Sequence, residues 1–265
     1  MINISGEEKQ FHIKVSSEDV GKYVILCGDP GRVEKIAESI DNAKEVSFNR
    51  EYKIYTGYLC GEKVSVASTG IGGPSAAICV EELSMCGCHT FIRVGTSGGM
   101  GNTVNAGDLI IATAAIRDDG TSREYMPTAV PAVANFDIVR ALYDSAEKNS
   151  SADKGNGFLA GVVQSKDSFY GETNPETMAT KDFLLEKWDA YIKLGCLCSE
   201  MECSSIFSVA MTRNLRAGAV LLAIWNVTKS INEAETERVF DTTRAISVAI
   251  DAMKELITKD RNNEK

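Results

Sequence analysis

The chain is 265 residues long, 44% hydrophobic and 25% charged, which allows one large α/β domain or two smaller ones with a sizeable core. Its formal net charge of −9 counts against a nucleic-acid binder, because a phosphate backbone needs a basic face, although a local arginine cluster can still hold a small anion. No run is long and apolar enough for a membrane span, and the opening residues, Met1 to Lys9, lack the apolar core of a signal peptide.

Phe11 and His12 precede any periodic segment, and a histidine so near a terminus is expected on the solvated surface. Tyr23 to Cys27 reads as an apolar strand, Gly28 to Arg32 as an abrupt turn, and Val33 to Ile40 as an amphipathic helix. Such a turn offers free backbone N–H groups to an anion. A bound anion would also remove the conflict between Arg32 and the positive end of the helix. Phe48 to Tyr52 leads into two strands, Lys53 to Cys60 and Lys63 to Ser68, joined by a hairpin-like turn at Gly61-Glu62. Ser68 to Ser75 is again a small-residue loop, followed by a helix from about Pro74 to Gly87. Its Gly70-x-Gly72 matches the start of a dinucleotide fingerprint, but the acidic residue wanted about twenty positions on is missing. A nicotinamide enzyme is therefore an alternative for a cofactor-binding test to separate.

Thr90 to Val94 reads as a buried strand running into a loop of small residues, Gly95 to Gly99. Arg93 stands out, because an arginine is rarely set at a buried strand end without a partner. Its guanidinium fork, the hydroxyls of Thr96 and Ser97 and the close approach that the glycines allow suit an oxyanion. The other reading is a tight turn with Arg93 paired to an internal carboxylate.

Asp108 to Ile116 follows as a buried strand, Pro127 to Ala134 as an irregular connection, and Phe136 to Glu147 as a helix. Ser150 to Gly157 is a polar turn region. Gly161 to Lys166 returns as a strand, and Asp167 to Pro175 is a loop whose Phe169 and Tyr170 either cover the core or stack on a planar ligand. After a helix over Phe183 to Tyr191, Glu200-Met201-Glu202 lies where an apolar segment meets the helix running through Ala210. Its carboxylates are either residues favourable at a helix N-terminus or a grip on sugar hydroxyls. Ala217 to Ile224 is the last strand, ending in Trp225-Asn226-Val227-Thr228, and Glu235 to Lys259 reads as a terminal amphipathic helix. The eight cysteines sit mostly in apolar runs without zinc-ligand spacing, and are expected as reduced core thiols of a cytoplasmic protein. Strands alternating with helices throughout point to a single α/β domain over residues 1–265, built on a large mixed sheet flanked by helices.

Taken in order, Gly28-Asp29-Pro30-Gly31-Arg32-Val33, Asn49-Arg50-Glu51, Ser68 to Ser75, Arg93-Val94-Gly95-Thr96, Ser168-Phe169-Tyr170-Gly171 and Glu200-Met201-Glu202 resemble the nucleoside phosphorylase family, in its uridine phosphorylase branch. The resemblance covers essentially the whole chain. It implies a distorted mixed sheet and a homo-hexamer built as a trimer of dimers, with sites shared between subunits. It also implies phosphate on Gly28, Arg32, Arg93 and Thr96 with the neighbour's Arg50. Ribose would lie on Thr96, Met201 and Glu202 with the neighbour's His12, and the base by Phe169, Glu172 and Asn226. Arg93 and Glu202 would carry the catalysis. No cofactor is required beyond inorganic phosphate as co-substrate, and some members bind potassium through positions matching Glu51, Ile71 and Ser75.

The residues suit that chemistry on their own. Phosphorolysis passes through a sugar with oxocarbenium character, so arginines that hold phosphate supply proximity, and Glu202 adds negative potential beside the developing cation. The base loop departs from the pattern, with Glu172, Thr177 and Val227 where glutamine and arginines are expected. An ionised glutamate only accepts hydrogen bonds, so Glu172 alone suits adjacent donors, as on guanine, better than uracil. The first expectation is phosphorolysis of uridine. The alternatives are a purine nucleoside phosphorylase, a nucleosidase of the same fold, or a nucleoside-binding relative without turnover.

Overall fold

The computed structural model describes residues 5–150, 157–232 and 238–263. In chain order it runs β1 (Tyr23–Cys27), α1 (Pro30–Ala37), β2 (Asp41–Asn49), β3 (Tyr52–Leu59), β4 (Glu62–Ser68) and α2 (Gly73–Met85). Then come β5 (Thr90–Gly99), β6 (Leu109–Asp118), α3 (Thr121–Tyr125), β7 (Ala132–Val133), α4 (Phe136–Ser150) and β8 (Phe158–Lys166). The last third holds α5 (Phe169–Thr173), α6 (Lys181–Lys193), β9 (Cys198–Glu200), α7 (Cys203–Thr212), β10 (Arg216–Asn226), α8 (Val227–Asn232) and α9 (Thr243–Asn263).

All these strands belong to one mixed sheet, and β5 is its pivot. Its first residues lie between β1 and β10, both parallel to it, with Leu26 opposite Arg93 as the last β1 contact. Its final residues exchange β1 for the antiparallel β9, Gly98 facing Ser199 and Gly99 facing Cys198. Because β9 continues through β8 and β6 to β10, five strands close into a ring, while β1, β4, β3 and β2 extend from it as an open wing. Between Arg93 and Gly98 one edge of β5 has no ladder partner, so the sheet parts there. Into that gap point the carboxyl ends of β1, β4, β5, β8, β9 and β10, the place where open α/β sheets hold ligands.

Two apolar clusters cover the faces. Phe91 packs with Ala76, Val80 and Leu83 of α2 and with Ile206, Phe207 and Val209 of α7. Its neighbours Ile92 and Val94 face Val33 and Ile36 of α1, Ile138 and Leu142 of α4, and the buried stripe of α9. The period-2 alternation puts Arg93 on the same side of β5 as Phe91. All eight cysteines are free thiols and all but Cys60 are buried. Burial pushes the Cys27 and Cys196 thiols up to about 12. Among the described residues no helix is long and apolar enough to cross a membrane.

Several expected boundaries move. Gly95 to Gly99 is strand rather than loop, because β10 pairs with it as far as Asn226 opposite Gly99. The exposed polar strand β2 was not expected, and the first helix begins at Pro30 and ends at Ala37. The loop after Asp167 holds α5 and a 3-10 turn at Pro175–Thr177. The terminal helix starts at Thr243, while the expected start at Glu235 and most of the polar turn at Ser150 to Gly157 lie outside the described residues.

Candidate active site

The parting of the sheet opens a cavity of about 770 Å³ that collects residues from six strand ends. Gly28 comes from the end of β1 and Arg32 from the first turn of α1, which Asp29 caps by accepting from Gly31 N at 2.9 Å. The Arg32 guanidinium turns inward and donates through Nη1 to Val94 O at 3.3 Å, on the unpaired stretch of β5. Burial, opposed by the neighbouring thiol of Cys27 but reinforced by Arg93, lowers its hold on its proton.

Arg93 is 3% exposed. Its Nη2 bonds Glu202 and lies 3.1 Å from Glu200, while Nε and Nη1 are buried with no hydrogen-bond partner. Burial works against its charge, but the Glu202 and Glu200 carboxylates hold it above the ordinary arginine range. Arg93 is thus paired to internal carboxylates, one of the two arrangements open to it from the sequence, and it keeps two unspent donors. Donors buried beside a second guanidinium are costly unless an anion meets them. Thr96 lines the same half of the cavity.

Gly95 makes room for this arrangement. A Cβ there would stand 3.0 Å from Arg93 Cζ and Nη2 and 2.6 Å from Leu221 Cδ2. Gly95→Ala is expected to displace the guanidinium and destabilise the fold by about 1–3 kcal/mol through overpacking. Thermal melting together with the KM for phosphate checks this, and an unchanged KM would mean that Arg93 had not moved.

The paired carboxylates of Glu200-Met201-Glu202 divide their duties. Glu200 accepts from the backbone N–H groups of Glu202 (2.9 Å) and Cys203 (2.9 Å) and from Ser165 Oγ, so it secures the start of α7. Glu202 instead turns to the cavity, held by Arg93 and by Gly72 N at 2.7 Å. That bond turns the Gly70-x-Gly72 loop, where Gly72 has φ +95°, onto a carboxylate rather than a pyrophosphate. Burial and the Glu200 charge push Glu202 above the usual carboxylate range despite Arg93. Met201 lines the cavity beside it.

At the far end lie Phe169, 44% exposed, and Glu172. Glu172 is not alone: Lys166 Nζ, from the end of β8, stands 3.0 Å from its Oε1 and donates to Ser199 Oγ at 2.6 Å. The sequence shows Lys166 only as the last residue of a strand before a polar loop. The signal available was a cation at the end of a strand, beside the aromatic Phe169. Trp225 also reaches the cavity.

Other expected residues lie elsewhere. Asn226 is buried but turned away from the cavity, its Nδ2 donating to Gly101 O and Val104 O at 2.7 Å and its Oδ1 accepting from Lys229 N at 2.8 Å. That commits both amide N–H groups and one lone pair of its oxygen to joining the β5–β6 connection to α8. His12 and Arg50 are outside this chain's cavity. His12 is held rather than freely solvated: its Nδ1 sits 2.5 Å from Glu82, which also takes the N–H groups of His12 and Ile13, and Asn49 donates to its carbonyl at 2.7 Å. Arg50 is exposed at the tip of the β2–β3 hairpin with φ 56°. Glu51 and Ile71 line the cavity rim, and Glu51 accepts from Ser75 Oγ at 2.7 Å, which depresses its carboxyl. Among the described residues there is no cluster of three or more histidine, cysteine or acidic groups able to hold a metal.

The fold and cavity define an α/β protein whose cavity sets two guanidiniums and a buried carboxylate beside apolar and aromatic side chains. The profile of the Phosphorylase superfamily matches residues 22–258, and the chain belongs to that family. It is 50% identical over 251 residues to the uridine phosphorylase of Treponema pallidum, covering 95% of each chain. It is 38% identical to the uridine phosphorylase of Haemophilus influenzae, covering 94% of this chain and 98% of the relative. The guanosine phosphorylase of Halorubrum lacusprofundi is 39% identical over 212 residues, 80% of this chain and 81% of the relative.

Proposed function

We propose that the protein splits a nucleoside, uridine first, with inorganic phosphate to give the free base and ribose 1-phosphate, as a single catalytic domain serving nucleoside salvage. The observation that carries this is the pair of unspent buried donors on Arg93, set beside Arg32 and next to Glu202. A phosphate oxygen held there attacks C1′ of the ribose while the glycosidic C–N bond breaks and its electron pair leaves on the base. The arginines supply the orientation, and Glu202, accepting from the ribose hydroxyls, lies beside the developing positive charge. A nucleosidase, which uses water, has no need of the buried guanidinium pair. The relatives' names support uridine. The free thiols fit the reducing cytoplasm.

A hexamer with shared sites is supported by what this chain's own cavity lacks. His12 and Arg50 face outward beside exposed Phe11, Phe48 and Ile71, an apolar surface suited to a second subunit. Glu51 and Ser75 with the Ile71 carbonyl are the oxygen donors proposed for a potassium ion. They fill about half of the six or so positions a hard cation takes, so the partner has to supply the rest.

The test is release of base from a panel of nucleosides with and without phosphate. Phosphate-dependent cleavage of uridine is expected, whereas phosphate-independent cleavage would mean a nucleosidase and no cleavage a binding protein. Arg50→Ala and Glu202→Gln chains, each strongly impaired alone, should recover activity when mixed into common oligomers. No recovery in verified mixed oligomers would mean that each chain completes its own site.

A further inference from the structure

Lys166 and Glu172 form a buried ion pair lining the same cavity, with side chains only 9% and 8% exposed. An ammonium has three N–H groups. Here one goes to Ser199 Oγ, and although Nζ also stands 3.0 Å from Glu172 Oε1, the ammonium keeps donor capacity for a ligand. Glu172 Oε1 is buried, and despite the 3.0 Å approach of Nζ it has no aligned hydrogen bond. The Phe169 ring lies 6.0 Å from Nζ and forms the adjoining apolar wall. A donor and an acceptor therefore stand side by side, each with capacity left over, beside a ring that can cover a planar group.

We infer that Lys166 and Glu172 together read one edge of the base, the ammonium donating to a ring carbonyl and the carboxylate accepting from the ring N–H next to it. This rests on the nucleoside phosphorylase reading and specifies the substrate class. The bases that fit carry an oxo group beside a ring N–H: uracil, hypoxanthine and guanine. Cytosine and adenine place an amino group and a ring nitrogen lone pair on that edge. Their lone pair would face the carboxylate and their amino group the ammonium, two repulsions in a dry site. Lysine supplies the donor that Glu172 by itself lacks for uracil, so the glutamate does not argue against uridine.

The experiment measures kcat/KM for uridine, cytidine, inosine and adenosine at fixed saturating phosphate, in the wild type, Lys166→Met and the nearly isosteric Glu172→Gln, with melting curves to verify folding. The wild type is expected to favour uridine over cytidine, and inosine over adenosine, by about 10³-fold or more, as sites built on hydrogen bonds do. Lys166→Met should lower uridine turnover by about 10²-fold with cytidine little changed. Glu172→Gln should compress both ratios to about 10-fold, because an amide can also donate to a ring nitrogen. A structural role for the pair would lower all four substrates by one factor. If the wild type splits uridine and the ratios in folded Glu172→Gln equal those of the wild type, the edge-reading assignment is overturned alone. If the wild type splits no nucleoside with phosphate, the phosphorylase reading falls as well.

Discussion

Arg93→Lys is expected to fold and to lose phosphate-dependent kcat/KM by about 10²-fold or more, roughly 3 kcal/mol of transition-state stabilisation. A lysine keeps the charge between Glu200 and Glu202 but cannot present two further N–H groups in a fixed plane to an oxyanion. The KM for phosphate should rise with the fall in turnover. Arg93→Ala goes further and confounds the measurement. It leaves two buried carboxylates facing each other, and stripping a buried ion pair of one partner costs about 3–5 kcal/mol. Comparing the two variants separates anion binding from folding. Wild-type activity and phosphate KM in a folded Arg93→Lys would remove the phosphate from this guanidinium.

Glu202→Gln is expected to cut kcat by about 10²–10³-fold without loss of thermal stability. The buried trio of Arg93, Glu200 and Glu202 carries one more negative than positive charge, so neutralising Glu202 leaves a balanced Arg93–Glu200 pair. The pH dependence follows from the direction of the shift. Burial raises the Glu202 carboxyl above its unfolded value. Its contribution to stability is therefore fully present below the unfolded pKa and lost as pH rises through the folded one. Acidification from neutral pH should thus protonate Glu202 and reduce kcat/KM while relieving a burial cost. Parallel profiles of kcat/KM and melting temperature measure this. The acid limb should be absent in the residual activity of Glu202→Gln, and an identical limb there would assign it to another group.

How much could be read in advance depended on whether a residue's cost was visible locally. Arg93 was legible because a guanidinium inside an apolar strand demands compensation wherever the strand goes. The glycines after it were misread as loop because glycine is poor in strands, and only pairing with β10, more than a hundred residues away, makes them one. The separate duties of Glu200 and Glu202 were illegible, since the three-residue strand β9 decides which carboxylate reaches the helix start and which the cavity. The edge strand β2 carries an exposed polar sequence with no alternation to reveal it. Asn226 is marked as a base contact by the resemblance alone, and its partners are carbonyls brought near by the β5–β6 connection.

The forked strand β5 divides the cavity's ancestry as well as its space. The part proposed for the anion is drawn from Gly28, Arg32 and Arg93, just after β1, in the first turn of α1 and on the first part of β5. The part proposed for the base is drawn from Lys166 to Glu172, a short strap running on from the end of β8. On that proposed assignment, substitutions along the strap would alter which base is welcome while leaving Arg32 and Arg93 in place. A lineage with this architecture can therefore change its diet through a handful of substitutions in one continuous stretch, while the reaction it performs is inherited intact.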